Sequence, residues 1–346
     1  MPRLPAPTTF QDHVVSPAKT MFPIERALLI INRTAGTGQA GSVAERLALL
    51  FRQALGELSR VKVEFVSNHA DARACAAGFM SASEAPALVV AGGGGGTLRA
   101  VIEGIYDTHT TERVRVGALR MGSGNLLAKQ FGVPRDPVLA LQGLLLNLKA
   151  RRTVPCCVMR CETWTSSGKS EVHHAVSLGG LGQFGRIPSD LVRWRARLSI
   201  FHRCAARLFG LEKLNNSEYA LAFLIRCLSC VLFPNRAETI EIQNRERFRL
   251  LSGVVMNFPI AALPFKPGVT VEDEALSVYL IPLSLLPLTR CIRIEKNQPL
   301  DIRFIDRDEV ELFLDEDPVT TYKQLRLGVA GSIAFVPGPD YRGVRV

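Results

Sequence analysis

Residues 89–98 read Val-Val-Ala-Gly-Gly-Gly-Gly-Gly-Thr-Leu, a β-branched segment that runs directly into five glycines. The apolar residues 87–91 predict a buried strand, and residues 98–106 are compatible with a helix. Glycine adopts positive φ freely and lets the backbone lie against a bulky anion, while the N–H groups at a helix N-terminus favour negative charge. The stretch therefore predicts a phosphate-binding loop. A flexible surface loop is the alternative, which the strand immediately before the glycines disfavours.

Four successive strand–helix units predict a parallel sheet. The strands are expected at residues 26–31, 61–66, 87–91 and 114–119, and the helices that follow them at 42–55, 71–80, 98–106 and 126–131. Parallel strands joined by helices have right-handed crossovers, and ligands of such sheets lie at the carboxyl ends of the strands. All four polar or glycine-rich loops fall at those ends, so the residues themselves favour a nucleotide site.

Two motifs carry a resemblance to a known family. Residues 93–97, Gly-Gly-Gly-Gly-Thr, resemble the Gly-Gly-Asp-Gly-Thr loop of the diacylglycerol kinase-like lipid kinases, which include sphingosine, ceramide and bacterial lipid kinases. Residues 117–128, Gly-Ala-Leu-Arg-Met-Gly-Ser-Gly-Asn-Leu-Leu-Ala, are similar to the family's second motif at the family's spacing. NAD kinases and phosphofructokinases share the first motif, so the second one discriminates. One departure stands out, because Gly95 replaces the family's aspartate.

The pattern after residue 153 differs from that of the first part. Many short predicted strands at short spacing, among them 310–314, 324–329 and 332–336, are typical of a β-sandwich-like domain. We therefore expect a disordered arm at 1–23, a parallel-sheet α/β nucleotide-binding domain at 24–153, and a β-sandwich-like lipid or substrate domain with a helical insertion at 154–346. The resemblance implies this same two-domain plan, with the active site in the cleft between the domains.

The net charge of +10 favours an anionic partner, such as a phosphate ligand, an acidic lipid surface or nucleic acid. No basic groove with interleaved aromatic residues is present, so nucleic acid is not expected.

Residues 219–233 are too few to span a membrane and predict a buried or interfacial helix. The eight cysteines lack zinc-site spacing and indicate a reduced, cytoplasmic chain. The basic amphipathic segment 191–208 predicts either a helix that packs its apolar face on the core and exposes its basic face to solvent, or peripheral contact with an anionic membrane. The sequence does not indicate an oligomeric state.

The resemblance implies that ATP phosphates bind at the strand ends. Ser67 stands where the family has a threonine that touches the nucleotide. His69 is interpreted as a helix-start residue, because nothing nearby in the sequence would orient it. The implied nucleotide-binding residues are Asn32, Thr34, Ser67, Gly93, Gly94, Gly95, Gly96, Thr97, Ser123 and Asn125.

The resemblance also implies catalytic and metal-binding residues. Residues 312–317, Leu-Phe-Leu-Asp-Glu-Asp, resemble a motif whose glutamate accepts a proton in bacterial members. The register places Asp317 on that glutamate and Asp315 on the motif's aspartate, which makes both candidate catalytic residues. Asp273 resembles a residue that binds structural Mg²⁺, and ATP and Mg²⁺ are the implied cofactors. Without the resemblance, acidic residues beside strands would indicate only a polar surface.

Two functions follow from these features. The first is an ATP-dependent lipid kinase that phosphorylates a hydroxyl of a diacylglycerol-like or sphingoid lipid, with Asp317 as the base. The alternative is a kinase fold that has lost catalysis and binds a nucleotide or lipid. Gly95 supports the alternative, because a lost acid–base contact costs about 10²–10⁴ in rate. We favour the kinase, because the family's fold is better supported than the loss of its chemistry.

Overall fold

The computed structural model describes residues 24–35, 40–56, 60–122, 125–191, 193, 216–243, 246–260, 263, 265–283, 289–315 and 317–343. The expected arm at 1–23, the predicted nucleotide ligand Ser123 and most of the basic segment 191–208 lie outside the described residues.

The N-terminal part is a parallel sheet between two pairs of helices, as the sequence predicts. Its strands have the order β2-β1-β3-β4, all parallel. Helix α1 packs on α5 and α2 packs on α3. Because helices cover both faces, β1 and β3 are apolar and buried along almost their whole length. The elements are β1 Arg26–Asn32, α1 Ala40–Leu55, β2 Arg60–Val66, α2 His69–Ser81, β3 Ala87–Gly93, α3 Gly95–Tyr106, β4 Val114–Arg120, α4 Leu126–Gln130 and α5 Pro137–Lys149.

The C-terminal part is antiparallel, and its helical residues follow the third of its strands. This arrangement confirms the predicted fold class of a parallel α/β region followed by a β region with a helical insertion. No helix among the described residues is long and apolar enough to cross a membrane. The elements are β5 Val154–Trp164, β6 Ser170–Ala175, β7 Leu178–Leu181, α6 Gly182–Gly185, α7 Asn216–Leu232, β8 Glu238–Ile242, β9 Glu246–Met256, β10 Ala275–Pro282, β11 Arg290–Glu295, β12 Leu300–Phe304, β13 Glu309–Leu314, β14 Asp317–Tyr322 and β15 Gln324–Phe335.

Strand β15 joins the two parts into one continuous 15-stranded sheet. It pairs antiparallel with β5 along its length, and near its end it pairs parallel with β4, where Phe335 lies opposite Val116. The chain then crosses the first part, where Asn147 Nδ2 donates to the carbonyl oxygens of Pro337 at 2.9 Å and Gly338 at 3.1 Å. The C-terminal strand therefore fixes the position of the second part against the N-terminal part.

Candidate active site

Polar side chains at the ends of β1, β2 and β3 form one hydrogen-bonded row. Asn32 Nδ2 donates to Thr97 Oγ1 at 3.1 Å, and Asn32 Oδ1 accepts from the Thr34 backbone N–H at 2.9 Å. The Thr34 hydroxyl lies 2.7 Å from Asn32 Oδ1 and 3.0 Å from the Ser67 carbonyl oxygen. The structure thus brings together four of the residues that the resemblance implies for nucleotide binding.

The five glycines make a much tighter turn than the sequence predicted. Strand β3 continues through Gly93, Gly94 is the N-cap, and α3 begins at Gly95. The chain turns from strand to helix within one residue because the glycines have no side chains to collide there. A Cβ on Gly93 would lie 2.3 Å from Thr97 Oγ1, so this position accepts only glycine without a shift of α3.

The second glycine motif packs directly on the first. The backbone N–H groups of Met121 and Gly122 donate to the Gly93 carbonyl oxygen at 3.0 Å and 3.1 Å. A Cβ on Gly122 would lie 2.4 Å from the Gly94 Cα. Asn125 adopts a φ of 49° and donates from Nδ2 to the Gly122 carbonyl oxygen. The two motifs that carry the family resemblance are therefore in backbone contact.

The N-terminus of α3 is suited to bind an anion. Its N-cap Gly94 has no side chain that could bind the first helical N–H groups. Those N–H groups have no partner within the helix and carry the positive end of its dipole. Gly94, Gly95 and Gly96 are half-buried. The residues present therefore fit a phosphate group at this position.

The hairpin between β13 and β14 brings Asp317 to the first turn of α3. A Cβ on Gly96 would lie 3.0 Å from Asp317 Oδ2, and the Asp317 side chain is 39% exposed. Arg99 Nη1 donates to the Leu314 carbonyl oxygen at 3.1 Å and lies 3.5 Å from Asp317 Oδ2. The predicted base therefore lies against Gly96, which follows Gly95, the residue that stands where the family has its aspartate.

Asp315, the second predicted catalytic carboxylate, is buried behind the hairpin. It accepts hydrogen bonds from the backbone N–H groups of Val176 at 2.6 Å, Ser177 at 2.8 Å and Leu178 at 3.0 Å, and from the Ser177 hydroxyl. Burial raises the pKa of Asp315, and these donors oppose that shift. Its φ of 47° is the turn that starts the hairpin. This geometry favours a role in holding the hairpin over a role in proton transfer.

A charge cluster, which we define as His69, Arg73, Arg99, Glu103 and Asp317, extends from Asp317 into the interior. His69 Nε2 lies 2.8 Å from Glu103 Oε2, and His69 Nδ1 lies 3.3 Å from Asp317 Oδ2. Glu103 is buried and also binds Arg99 at 3.0 Å and Arg73 at 3.3 Å. His69 is the first residue of α2, which confirms its interpretation as a helix-start residue, but the expectation that nothing orients it is wrong.

The pKa values in this cluster follow from its contacts. Hydrogen bonds to Asp317 and Glu103 raise the pKa of His69 to about 9, against the effects of burial and of Arg99. Burial acts to raise the pKa of Glu103, but hydrogen bonds from His69 and the His174 backbone, together with the Arg99 charge, lower it to about 2. At neutral pH, His69 is therefore an imidazolium between two carboxylates.

Asp273, the residue that the resemblance implies for magnesium, lies in a turn before β10. Its Oδ2 accepts from the Thr270 backbone N–H at 2.7 Å and from the Thr270 hydroxyl at 3.1 Å. Among the described residues, no three His, Cys, Asp or Glu side chains converge to hold a metal ion. Mg²⁺ in phosphoryl-transfer sites binds through one or two carboxylates, substrate phosphates and water, so such a cluster is not required.

Comparisons with known proteins agree with this geometry. Residues 26–157 match the diacylglycerol kinase catalytic domain. A crystal structure of a diacylglycerol kinase from Bacillus anthracis str. Sterne has a TM-score of 0.58 and 16% identity, over 93% of this chain and 99% of that chain. Another crystal structure from that organism, of a protein assigned as a diacylglycerol kinase, has a TM-score of 0.59 and 16% identity over the same shares. No curated protein matches the chain in sequence. Residues 26–157 are therefore similar to the catalytic domain of diacylglycerol kinases, and almost the whole chain shares the fold of these two structures.

Proposed function

We propose that the protein is an ATP-dependent lipid kinase that transfers the γ-phosphate to a hydroxyl group of a diacylglycerol-like or sphingoid lipid. The observation that carries the proposal is the position of Asp317, whose carboxylate lies against Gly96 in the first turn of α3. A carboxylate beside a phosphate-binding helix N-terminus is what phosphoryl transfer to an alcohol needs from the protein.

The nucleotide would bind along the ends of the parallel strands. We assign its phosphates to the N–H groups of the first turn of α3 and to the row of Asn32, Thr34, Ser67 and Thr97. Asn125 shapes the neighbouring turn, and Ser123 is proposed there from the family motif alone. Mg²⁺ would neutralise phosphate charge and would enter with the nucleotide, while Asp273 is proposed as a separate structural Mg²⁺ ligand.

In the proposed reaction, Asp317 accepts the proton of the lipid hydroxyl. The hydroxyl oxygen then forms a bond to the γ-phosphorus of ATP, the bond from that phosphorus to the bridging oxygen breaks, and ADP leaves. The helix N-terminus favours the negative charge on the transferred group. Asp317 can return its proton to water because its side chain is 39% exposed.

Transfer of labelled γ-phosphate to diacylglycerol, monoacylglycerol, ceramide and sphingosine in mixed micelles tests the proposal. We expect the wild-type protein to label at least one of these lipids, because Asp317 supplies a carboxylate against Gly96 in the first turn of α3. The comparison variant is Gly95→Asp, and its matched control is Gly78→Asp in α2, where a new Cβ would meet no atom within 4 Å. A silent wild-type protein that Gly95→Asp activates would instead identify a chain that has lost catalysis. If neither the wild-type protein nor Gly95→Asp labels any of these lipids, the proposed kinase activity is excluded.

The exposed surface of helix α7 supports the proposal that the protein binds its lipid substrate at a membrane surface. Over residues 221–232, whose side chains the structure describes, the exposed side chains are apolar and recur every three or four residues, so they form a stripe about 120° wide on one face. The opposite face is buried at Ala222 and Cys230. The net charge of +10 suits an anionic bilayer, and the Arg236 guanidinium lies 4.8 Å from the ring of Phe233 at the end of the helix. The stripe comprises Leu221, Leu224, Ile225, Leu228, Val231 and Leu232, with exposed fractions of 43% to 71%.

Replacing Leu228 by glutamate is expected to weaken binding to phosphatidylglycerol vesicles by about 10- to 100-fold, because a buried leucine contributes about 1.5–3 kcal/mol. Vesicle sedimentation measures the partition coefficient. The matched control is Leu146→Glu on α5, where the leucine is 67% exposed but lies outside the stripe. Equal partitioning of both variants would contradict the assignment of α7 to the membrane.

A further inference from the structure

We propose that His69 is a positioning residue for phosphoryl transfer, which holds the Asp317 carboxylate beside the first turn of α3. This inference rests on the proposed function and adds a residue to its machinery.

The geometry connects Asp317 to the interior through His69. The imidazole lies between two carboxylates: its Nε2 is 2.8 Å from Glu103 Oε2 and its Nδ1 is 3.3 Å from Asp317 Oδ2, so each ring nitrogen faces one carboxylate. Glu103 is itself fixed, since it accepts from Arg99 and from the His174 backbone N–H at 3.2 Å. The rigid imidazole of His69 thereby links the partly exposed Asp317 carboxylate to the buried Glu103 carboxylate.

The contacts of Asp317 explain why such a tie is needed. Among the described residues, the cationic groups within 4 Å of its carboxylate are His69 and Arg99. Arg99 lies at 3.5 Å, slightly farther than His69 at 3.3 Å, and it donates at the same time to the Leu314 carbonyl oxygen. Both donors approach Oδ2, so neither binds Oδ1, the oxygen that we assign to the lipid hydroxyl.

Gly95 gives this arrangement its importance. The family's aspartate would stand in the first turn of α3, on a helix that fixes its backbone. Asp317 instead reaches that turn from the end of a hairpin, and its side chain is one methylene shorter than the glutamate of the family motif. The reaction rate falls steeply when the base is misplaced. A second group that holds the Asp317 carboxylate therefore restricts its motion, as the helix backbone would restrict an aspartate at position 95.

His69 can act in this way only while it is protonated. The charged and titratable groups that face it are Asp317 on β14, Glu103 and Arg99 on α3, and Arg73 on its own helix, with His174 of β6 beyond Glu103. Their balance raises the pKa of His69 to about 9. The ion pair between His69 and Asp317 is therefore present at neutral pH and is lost as pH rises through about 9.

The experiment measures kcat for phosphate transfer to the best lipid acceptor against pH. We expect the wild-type rate to fall above about pH 9, following His69. His69→Gln should lower kcat at neutral pH by about 10- to 100-fold, leave KM for ATP within about twofold, and lack the fall above that pH. The control His109→Gln lies in the turn after α3, outside the cluster, and should behave as wild type.

A second measurement tests whether His69 acts through Asp317. In an Asp317→Asn background, His69→Gln should cause no further loss of kcat, because the group it positions no longer accepts a proton. The imidazole NMR signal of His69 should titrate near pH 9 in the wild-type protein and move towards about 6.5 in Asp317→Asn.

The outcomes separate this inference from the function on which it rests. If the wild-type protein transfers no phosphate to any lipid, the proposed function fails and the role of His69 fails with it. If transfer occurs but His69→Gln keeps the wild-type pH profile, or if its effect is fully additive with Asp317→Asn, only the role of His69 is overturned.

Discussion

Replacing Asp317 by asparagine is expected to lower kcat for phosphate transfer by about 10²–10⁴-fold, the usual contribution of a general base. Asparagine has the same shape and can still lie against Gly96 and accept from Arg99, but its amide cannot take up the proton of the lipid hydroxyl. The KM for ATP should change little, because the proposed phosphate donors are on α3 and at the strand ends. Transfer of labelled phosphate under saturating lipid measures kcat.

The matched control for this variant is Asp308→Asn. Asp308 is 67% exposed, lies between β12 and β13, and pairs with Lys323 at 3.2 Å, a surface contact that contributes little to stability. The Asp308→Asn variant should keep the wild-type kcat. Retention of full activity by Asp317→Asn would remove Asp317 from the mechanism. A loss of ATP binding in that variant would indicate that Asp317 acts in nucleotide binding and not in proton transfer.

The N-terminal part of the fold could be predicted because its signals are local. Strands β1 and β3 are short apolar segments, and each is followed by a polar loop and an amphipathic or apolar helix. The carboxyl ends of parallel strands meet at one edge of the sheet, so the row from Asn32 to Ser67 followed from the order of the elements. The tightness of the glycine turn did not follow, because nothing in a run of glycines says where the strand ends and the helix begins.

Two strand predictions failed at residues that usually interrupt strands. Strand β14 was not predicted because it contains Pro318, which is tolerated there because β14 is the edge strand of the sheet. Strand β15 was predicted as two strands, 324–329 and 332–336. The structure has one strand with a register shift between Val329 and Gly331, and Gly331 has a φ of 129°. A glycine in a bulge and a glycine in a turn look the same in sequence.

The charge cluster could not be predicted because its members are far apart in sequence. His69 and Glu103 are separated by 34 residues, and Arg99 and Asp317 by 218 residues. The one local signal was the pair Arg99 and Glu103, which are four residues apart inside the otherwise apolar α3. Charged residues on a buried helix face need partners from elsewhere in the fold. The pair therefore indicates that such partners exist, but the sequence does not say which residues they are.

Replacing Glu103 by glutamine is expected to lower the free energy of unfolding by about 3–5 kcal/mol, the cost of removing one partner from a buried charge cluster. Glu103 is 1% exposed and accepts from Arg99, Arg73 and His69, so the variant leaves buried cations without their counter-charge. Urea unfolding at neutral pH measures the difference. The matched control is Glu64→Gln on β2, where the carboxylate is 35% exposed and pairs with Lys62.

The pH dependence of that difference distinguishes lost charge from lost packing. The pKa of Glu103 is lowered from 4.5 to about 2, so its contribution to stability is present above about pH 4.5 and is lost as pH falls towards 2. The wild-type protein should therefore approach the stability of Glu103→Gln in acid, and the gap between their unfolding free energies should close over that interval. A gap that stays constant down to about pH 2 would show that glutamine disturbs the packing of α2 on α3, and that the carboxylate charge does not hold the cluster together.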